Sequence, residues 1–283
     1  MQIEVIIEKK SHKLDAEEGK TILETLQEHG IHVLTAPCGG RGRCGKCTVE
    51  VEHMGEVLAC MTKVTDGMRI TIPKVQLRAQ KSKIAENGTV THYPADDGEG
   101  LDAACDIGTT TVVCHLIDGK TGEKLATVSE PSAQRSFGAD VLSRIQAAEA
   151  GKLEILKEQI IFQIAQMLRT LQKKTGRGEQ IQRLAVVGNT VMCHLFAGIS
   201  PVSIGVTPFM PQEFFGKEYT GEQLGLTDCR SVYIAPAVAG FVGGDITSDL
   251  LAVMQKNPKE KVLLLDIGTN GEMAVGNEDQ SYC

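Results

Sequence analysis

Tryptophan is absent from this 283-residue chain, and the other large aromatics are sparse, with four tyrosines and seven phenylalanines. The missing tryptophan has no functional reading by itself. Basic residues are also in deficit. Lysine and arginine number 29 against 36 aspartates and glutamates, a formal net charge of −7. A surface that neutralises phosphate backbones needs the opposite sign, which argues against nucleic-acid binding. No apolar run is long enough to span a bilayer, and no charged-then-apolar leader precedes the first alternating segment. A cytoplasmic chain with reduced thiols is therefore expected, with no membrane contact. In that setting nine cysteines point toward metal binding rather than disulfides. Length suggests two domains, and the apolar share of 42% is enough for ordinary cores.

Four of the cysteines are concentrated in one stretch. Cys38, Cys44 and Cys47 lie in PCGGRGRCGKC, and Cys60 follows in LAC. A glycine-rich loop carrying three thiols, with a fourth returning soon after on what reads as a strand, is the ligand pattern of a 2Fe–2S ferredoxin. Small residues let backbone N–H groups point at the sulfurs. The first gap is one residue longer than in plant-type ferredoxins, as in their vertebrate-type relatives, and Cys60 comes early. A four-cysteine zinc site is the rival reading, although only one C-x-x-C unit is present. Incidental thiols are the third. Arg41, Arg43 and Lys46 either offset cluster charge, meet an acidic partner, or are solvated loop charge. Cys105, Cys114, Cys193 and Cys229 sit among apolar neighbours and read as small buried hydrophobes.

Around this loop the pattern predicts an α+β domain over residues 1–74. Residues 1–20 alternate as a two-stranded start, Thr21 to Glu24 is a capping box, Gly30 closes the helix, and residues 48–52 and 68–72 alternate again. Strands, one helix and a ligand loop match a β-grasp. Residues 75–102 are polar and end in Asp96-Asp97-Gly98-Glu99-Gly100, the composition of a linker. From residue 103 to 283 the pattern turns α/β. Strands are expected at 103–107 and 112–117, helices at 138–150 and 152–174, then strands at 184–187, 232–235 and 261–266, with a helix from about Asp245.

The phrase DIGT occurs twice, as Asp106 to Thr109 and Asp266 to Thr269. At the end of a buried strand entering a tight hairpin, this is a phosphate device. Gly108 and Gly268 let the backbone approach the phosphate, and the hydroxyls and N–H groups of Thr109, Thr110 and Thr269 donate to its oxygens. Asp106 and Asp266 have no proton to give at neutral pH and hold Mg²⁺ or its waters. Two copies in one α/β region fit an actin-like (ribonuclease H-like, ASKHA) ATPase fold, whose related halves face each other across a nucleotide. The alternative is two unrelated tight turns. Asp245 either caps its helix or faces the cleft and orients metal or water. Gly188-Asn189-Thr190 similarly offers cap chemistry or ligand contact. The chain stops at Cys283 just as the second motif's hairpin begins, so an incomplete second half and weak or absent ATP turnover are expected.

The ordered set PCGGRGRCGKC, LAC, DIGTTT, VVGNTVMCHLFAG, PFMP, IAPAVAGFVGGD and LLLDIGTNGE spans residues 38–275. It resembles the ATP-dependent reductive activators of corrinoid proteins, which join an N-terminal 2Fe–2S domain to an actin-like domain. The resemblance implies that Cys38, Cys44, Cys47 and Cys60 ligate the cluster. It also implies that Asp106, Gly108, Thr109, Thr110, Asp266, Gly268 and Thr269 line an ATP and Mg²⁺ site. The implied activity is ATP-coupled reduction of inactive Co(II) corrinoid to Co(I) on a methyl-carrier protein. A low-potential electron donor supplies it, and a homodimer is the implied assembly. Competing readings are a ferredoxin-like electron carrier whose actin-like half is a docking scaffold, and a kinase with a redox-sensing cluster.

Overall fold

The computed structural model describes residues 1–73, 98–256, 259–269 and 271–283. Most of the expected linker, residues 75–97, lies outside them. The described residues of Met1–Lys83 and Ala133–Ala147 form one compact unit, and those of Ile84–Ser132 and Ala148–Cys283 form another. Among the described residues no helix is long and apolar enough to cross a membrane.

The first unit is a β-grasp. Strands β1 (Gln2–Ile7), β2 (Lys10–Asp15), β3 (Thr48–Val51), β4 (Gly55–Leu58) and β5 (Arg69–Thr71) form a sheet in the order β2-β1-β5-β3-β4. The central β1–β5 pair is parallel and the others are antiparallel. Helix α1 (Ile22–Glu28) starts as its sequence predicts. The Thr21 hydroxyl accepts from the Glu24 backbone N–H, and the Glu24 carboxylate accepts from that of Thr21. This reciprocal pair satisfies two otherwise unpaired donors. Ile3, Val5, Ile22, Leu26, Val49 and Ile70 fill the core between sheet and helix. Helix α2 (Val141–Ala147), distant in sequence, also belongs to this unit. The expected helix over 138–150 is shorter in the structure because Asp140 accepts the Ser143 backbone N–H and sets its start. Gly151, at φ 84°, breaks it from the helix that follows.

The second unit is built on a six-stranded sheet. Its strands are β6 (Leu101–Ile107), β7 (Thr111–Asp118), β8 (Lys124–Pro131), β9 (Ile181–Val187), β10 (Lys217–Thr220) and β11 (Cys229–Ile234). Their order is β10-β11-β9-β6-β7-β8. The β6-β7-β8 meander is antiparallel, β9 runs parallel to β6, and β11 runs parallel to β9. Three antiparallel strands continued by two parallel ones is the ribonuclease H-like, actin-like arrangement. Helix α3 (Leu153–Thr175) buries Leu156, Ile160, Ile164, Met167, Leu168 and Leu171. Each such side chain contributes about 2 kcal/mol of transfer free energy. Helices α4 (Thr190–Ala197), α5 (Gly221–Leu224) and α6 (Gly244–Lys256) follow. The repeat of the opening motif forms a separate sheet, β12 (Val262–Ile267), β13 (Gly271–Gly276) and β14 (Ser281–Tyr282). Cys105, Cys114, Cys193 and Cys229 are all buried, as their apolar neighbours predict.

Candidate functional site

The cysteine loop lies between α1 and β3. It winds through left-handed backbone at Gly39, Gly40, Gly42 and Gly45. Gly42 shows why glycine is needed: its φ is 69°, and a Cβ there would lie 2.8 Å from the Met61 sulfur. This winding turns backbone N–H groups inward. Those of Arg41, Arg43 and Cys44 donate to the Cys38 sulfur, and that of Gly42 donates to Cys60. Burial pushes the Cys38 thiol up, but these donors and the Cys44 thiol outweigh it and hold Cys38 at about 6, so it is a thiolate at neutral pH. Cys60 is pushed up to about 12, by burial first and then by its hydrogen bond and charge interaction with Cys47.

All four sequence-predicted thiols are brought together. Cys38 bonds Cys44, Cys47 bonds Cys60, and Cys60 also feels the charge of Cys38. Cys38 and Cys44 are partly open to solvent, while Cys47 and Cys60 are buried. Cys60 is not on a strand as its neighbours suggested. It lies in the turn after β4, held there by the Ala59 N–H donating to the Cys47 carbonyl at 2.9 Å. Among the described residues no three His, Cys, Asp or Glu side chains converge as a single ion requires. Two thiol pairs lined by N–H donors suit a two-iron cluster better than a mononuclear site, so the donor set fits a 2Fe–2S group.

The second site is built on the two DIGT hairpins. Gly108 permits the first turn, since a Cβ there would meet the Thr111 carbonyl oxygen at 2.5 Å. The two copies face one another: the hydroxyls of Thr110 and Thr269 hydrogen-bond at 2.7 Å across 159 residues of sequence. Asn189 caps its helix and also reaches the first motif. Its side-chain oxygen accepts from the Met192 N–H and caps α4, and its amide donates to the Thr109 hydroxyl at 2.9 Å. Gly243 leaves room for this, because a Cβ would come within 2.5 Å of the Asn189 Cα.

Asp245 lies in the first turn of α6, and its carboxylate accepts from the adjacent Ile246 N–H at 2.9 Å. The carboxylates of Asp106, Asp245, Asp249, Asp266 and Glu272 act on one another. Asp106 is raised to about 7, chiefly because protein rings it and then by the charges of Asp245, Asp249 and Asp266, although its edge still meets solvent. Asp245, Asp249 and Glu272 are also raised, burial first and neighbouring carboxylates second. A cation near these carboxylates would relieve their mutual repulsion, although among the described residues no three of them converge on one point. Sequence reasoning missed Asp249. Its signal was the four-residue spacing from Asp245, which places both on one helix face. Glu272 stood in the second motif without a role assigned to it.

The RACo middle region family matches residues 101–257, more than half of the chain. The chain belongs to this family. A 2Fe-2S iron-sulfur cluster binding domain matches residues 4–74 of the same RACo-family chain. The corrinoid activation enzyme RamQ of Eubacterium limosum is 28% identical, over 88% of this chain and 55% of that protein. The Co(II) methylated amine-specific corrinoid protein reductase of Methanosarcina barkeri is 27% identical, over 61% of this chain and 33% of that protein. Among solved structures, a reductive activator for corrinoid,iron-sulfur protein superposes with a TM-score of 0.61 at 26% identity, over 99% of this chain and 62% of that one. The chain thus spans about half the length of the curated RamQ relative and less of the reductase. These relatives agree with the resemblance carried by the motifs.

Proposed function

We propose that this RACo-family chain is an iron–sulfur electron-transfer protein of corrinoid activation. It takes an electron from a low-potential donor and, coupled to ATP, returns inactive Co(II) corrinoid on a methyl-carrier protein to Co(I). The observation that supports this most is the pairing of the four loop thiols under inward N–H groups, in one chain with two DIGT hairpins that meet at Thr110 and Thr269. A bound 2Fe–2S group would supply one-electron chemistry there. The loop holds its thiolates with the N–H groups of Arg41, Gly42, Arg43 and Cys44, which stabilise added negative charge. In the second unit, Thr109, Thr110 and Thr269 are placed to donate to phosphate. Asp106, Asp245, Asp249, Asp266 and Glu272 would hold the accompanying Mg²⁺. Nucleotide biases any conformational equilibrium only through different affinities for its states.

The deciding experiment is anaerobic purification followed by iron, acid-labile sulfide and zinc analysis with a visible spectrum. Two irons and two sulfides per chain, with bands that bleach on dithionite, are expected. Zinc without sulfide would overturn the electron-transfer reading.

A further inference from the structure

Residues 133–147 follow β8 and precede α3, within the stretch matched by the RACo middle region, yet they pack as part of the β-grasp unit. Their contacts there concentrate on the residues flanking Cys38. The Ala139 N–H donates to the Pro37 carbonyl at 3.2 Å, one residue before Cys38. One residue after it, a Cβ on Gly39 would lie 3.4 Å from the Phe137 carbonyl oxygen and 3.6 Å from the Ser143 Cβ. Arg135 donates to the Thr35 hydroxyl at 3.3 Å, and the Gln27 amide donates from α1 to the Ser136 carbonyl at 2.9 Å. Phe137, Val141 and Ile145 are buried beneath these ties.

Arg144 holds the segment's shape. Its guanidinium is fully buried, donating to the Gln134 side-chain oxygen and the Gly138 carbonyl at 3.3 Å each. Gly138 lies between Phe137 and Ala139, which both meet the cysteine loop. A buried guanidinium keeps its charge at neutral pH even though burial lowers it to about 9, with the Asp140 carboxylate acting against that fall and Arg135 adding to it. The half-buried Arg135 lies close enough for its charge to act on Arg144.

We propose that residues 133–147 form a positioning strap for the cysteine loop, in which Arg144 fixes the strap against Pro37 and Gly39 and, with Arg135, supplies positive charge favouring the more negative, reduced cluster. This rests on the cluster reading given above. One-electron reduction adds one negative charge without forming or breaking a bond, so fixed nearby cations stabilise the product over the reactant. Arg144 and Arg135 are positioning residues here, since neither is a cluster ligand.

The test is a dye-mediated redox titration of the full chain, purified anaerobically, as wild type, Arg144→Met, Arg144→Lys and Arg135→Met. At a fixed ambient potential the reduced-to-oxidised ratio should fall by about tenfold in Arg144→Met, which is about 59 mV for a one-electron couple. Arg144→Lys should recover most of it, and Arg135→Met should show a smaller fall in the same direction. Should Arg144→Met fail to fold, Arg135→Met, which leaves fewer buried acceptors unpaired, decides the matter. Wild-type potentials in the iron-loaded variants, with lowered melting temperatures alone, would reduce the strap to a stability element and overturn the proposal. A wild-type chain without iron and sulfide would overturn the cluster reading and the strap's role together, whereas a loaded cluster with unmoved potentials would overturn only the strap.

Discussion

Burial first, and then the charges of Asp245, Asp249 and Asp266, make the Asp106 carboxyl harder to ionise, holding it near 7 in the fold against 3.8 when free. A carboxyl raised on folding binds its proton more tightly in the native state. Its ionisation therefore lowers stability progressively as pH climbs from about 4 to about 7, and the loss is complete above that window. Asp106→Asn removes the charge and keeps the shape. In chelator, the variant should melt slightly above wild type at pH 8, the gain being kept small because the exposed Asp106 carboxylate is screened by solvent. At pH 5 the gain should be smaller. Calorimetry at the two pH values checks this, and an equal or reversed difference would show that Asp106 carries no such strain. The same substitution removes a group placed to hold Mg²⁺, so the stabilisation comes with a loss of binding, as expected where a site keeps charges that the fold disfavours.

At the scale of elements, what the sequence revealed depended on distance along the chain. The capping box, the cysteine loop and both DIGT turns are local, and each is written in fewer than a dozen residues. The buried stripe of α3 is periodic, so it too was legible, from Leu156 to Leu171. The strap was not. Its ties join Gln27 to Ser136 and Thr35 to Arg135, 109 and 100 residues apart, and no periodicity encodes such pairings. β8 and β10 were missed for a related reason: Lys124–Pro131 is half-buried along nearly its whole length and Lys217–Thr220 is mostly exposed, so neither alternates cleanly. The β12–β13 hairpin bears on activity. Ile267, next to Gly268, is 89% exposed, and Leu263, Leu265 and Met273 are also exposed. A small sheet with one face left open is marginally stable and holds Gly268 and Thr269 less rigidly against a phosphate. ATP turnover by this chain alone should therefore be weak or absent in a phosphate-release assay, and a robust rate would show that the hairpin is ordered well enough without further packing.

At the scale of the whole molecule, the cysteine loop and the DIGT hairpins belong to separate compact units. The β-grasp unit has a core of its own, from Ile3 and Val5 through Ile22 and Leu26 to Ile70 and Ile72, and among the described residues none of those in the DIGT hairpins takes part in it. The chain enters the strap from β8, whose end is fixed at the first hairpin by the Ser132 N–H donating to the Thr110 carbonyl at 2.9 Å. Asp106→Asn changes the charge at the end of β6 and leaves that backbone bond in place. It should abolish any dependence of electron transfer on ATP while leaving iron content and the visible spectrum of the cluster as in wild type. Anaerobic spectra of the two proteins at equal concentration make the comparison. Loss of the spectrum in Asp106→Asn would mean that the phosphate site supports the cluster fold directly, and that the two functions are not built on independent cores.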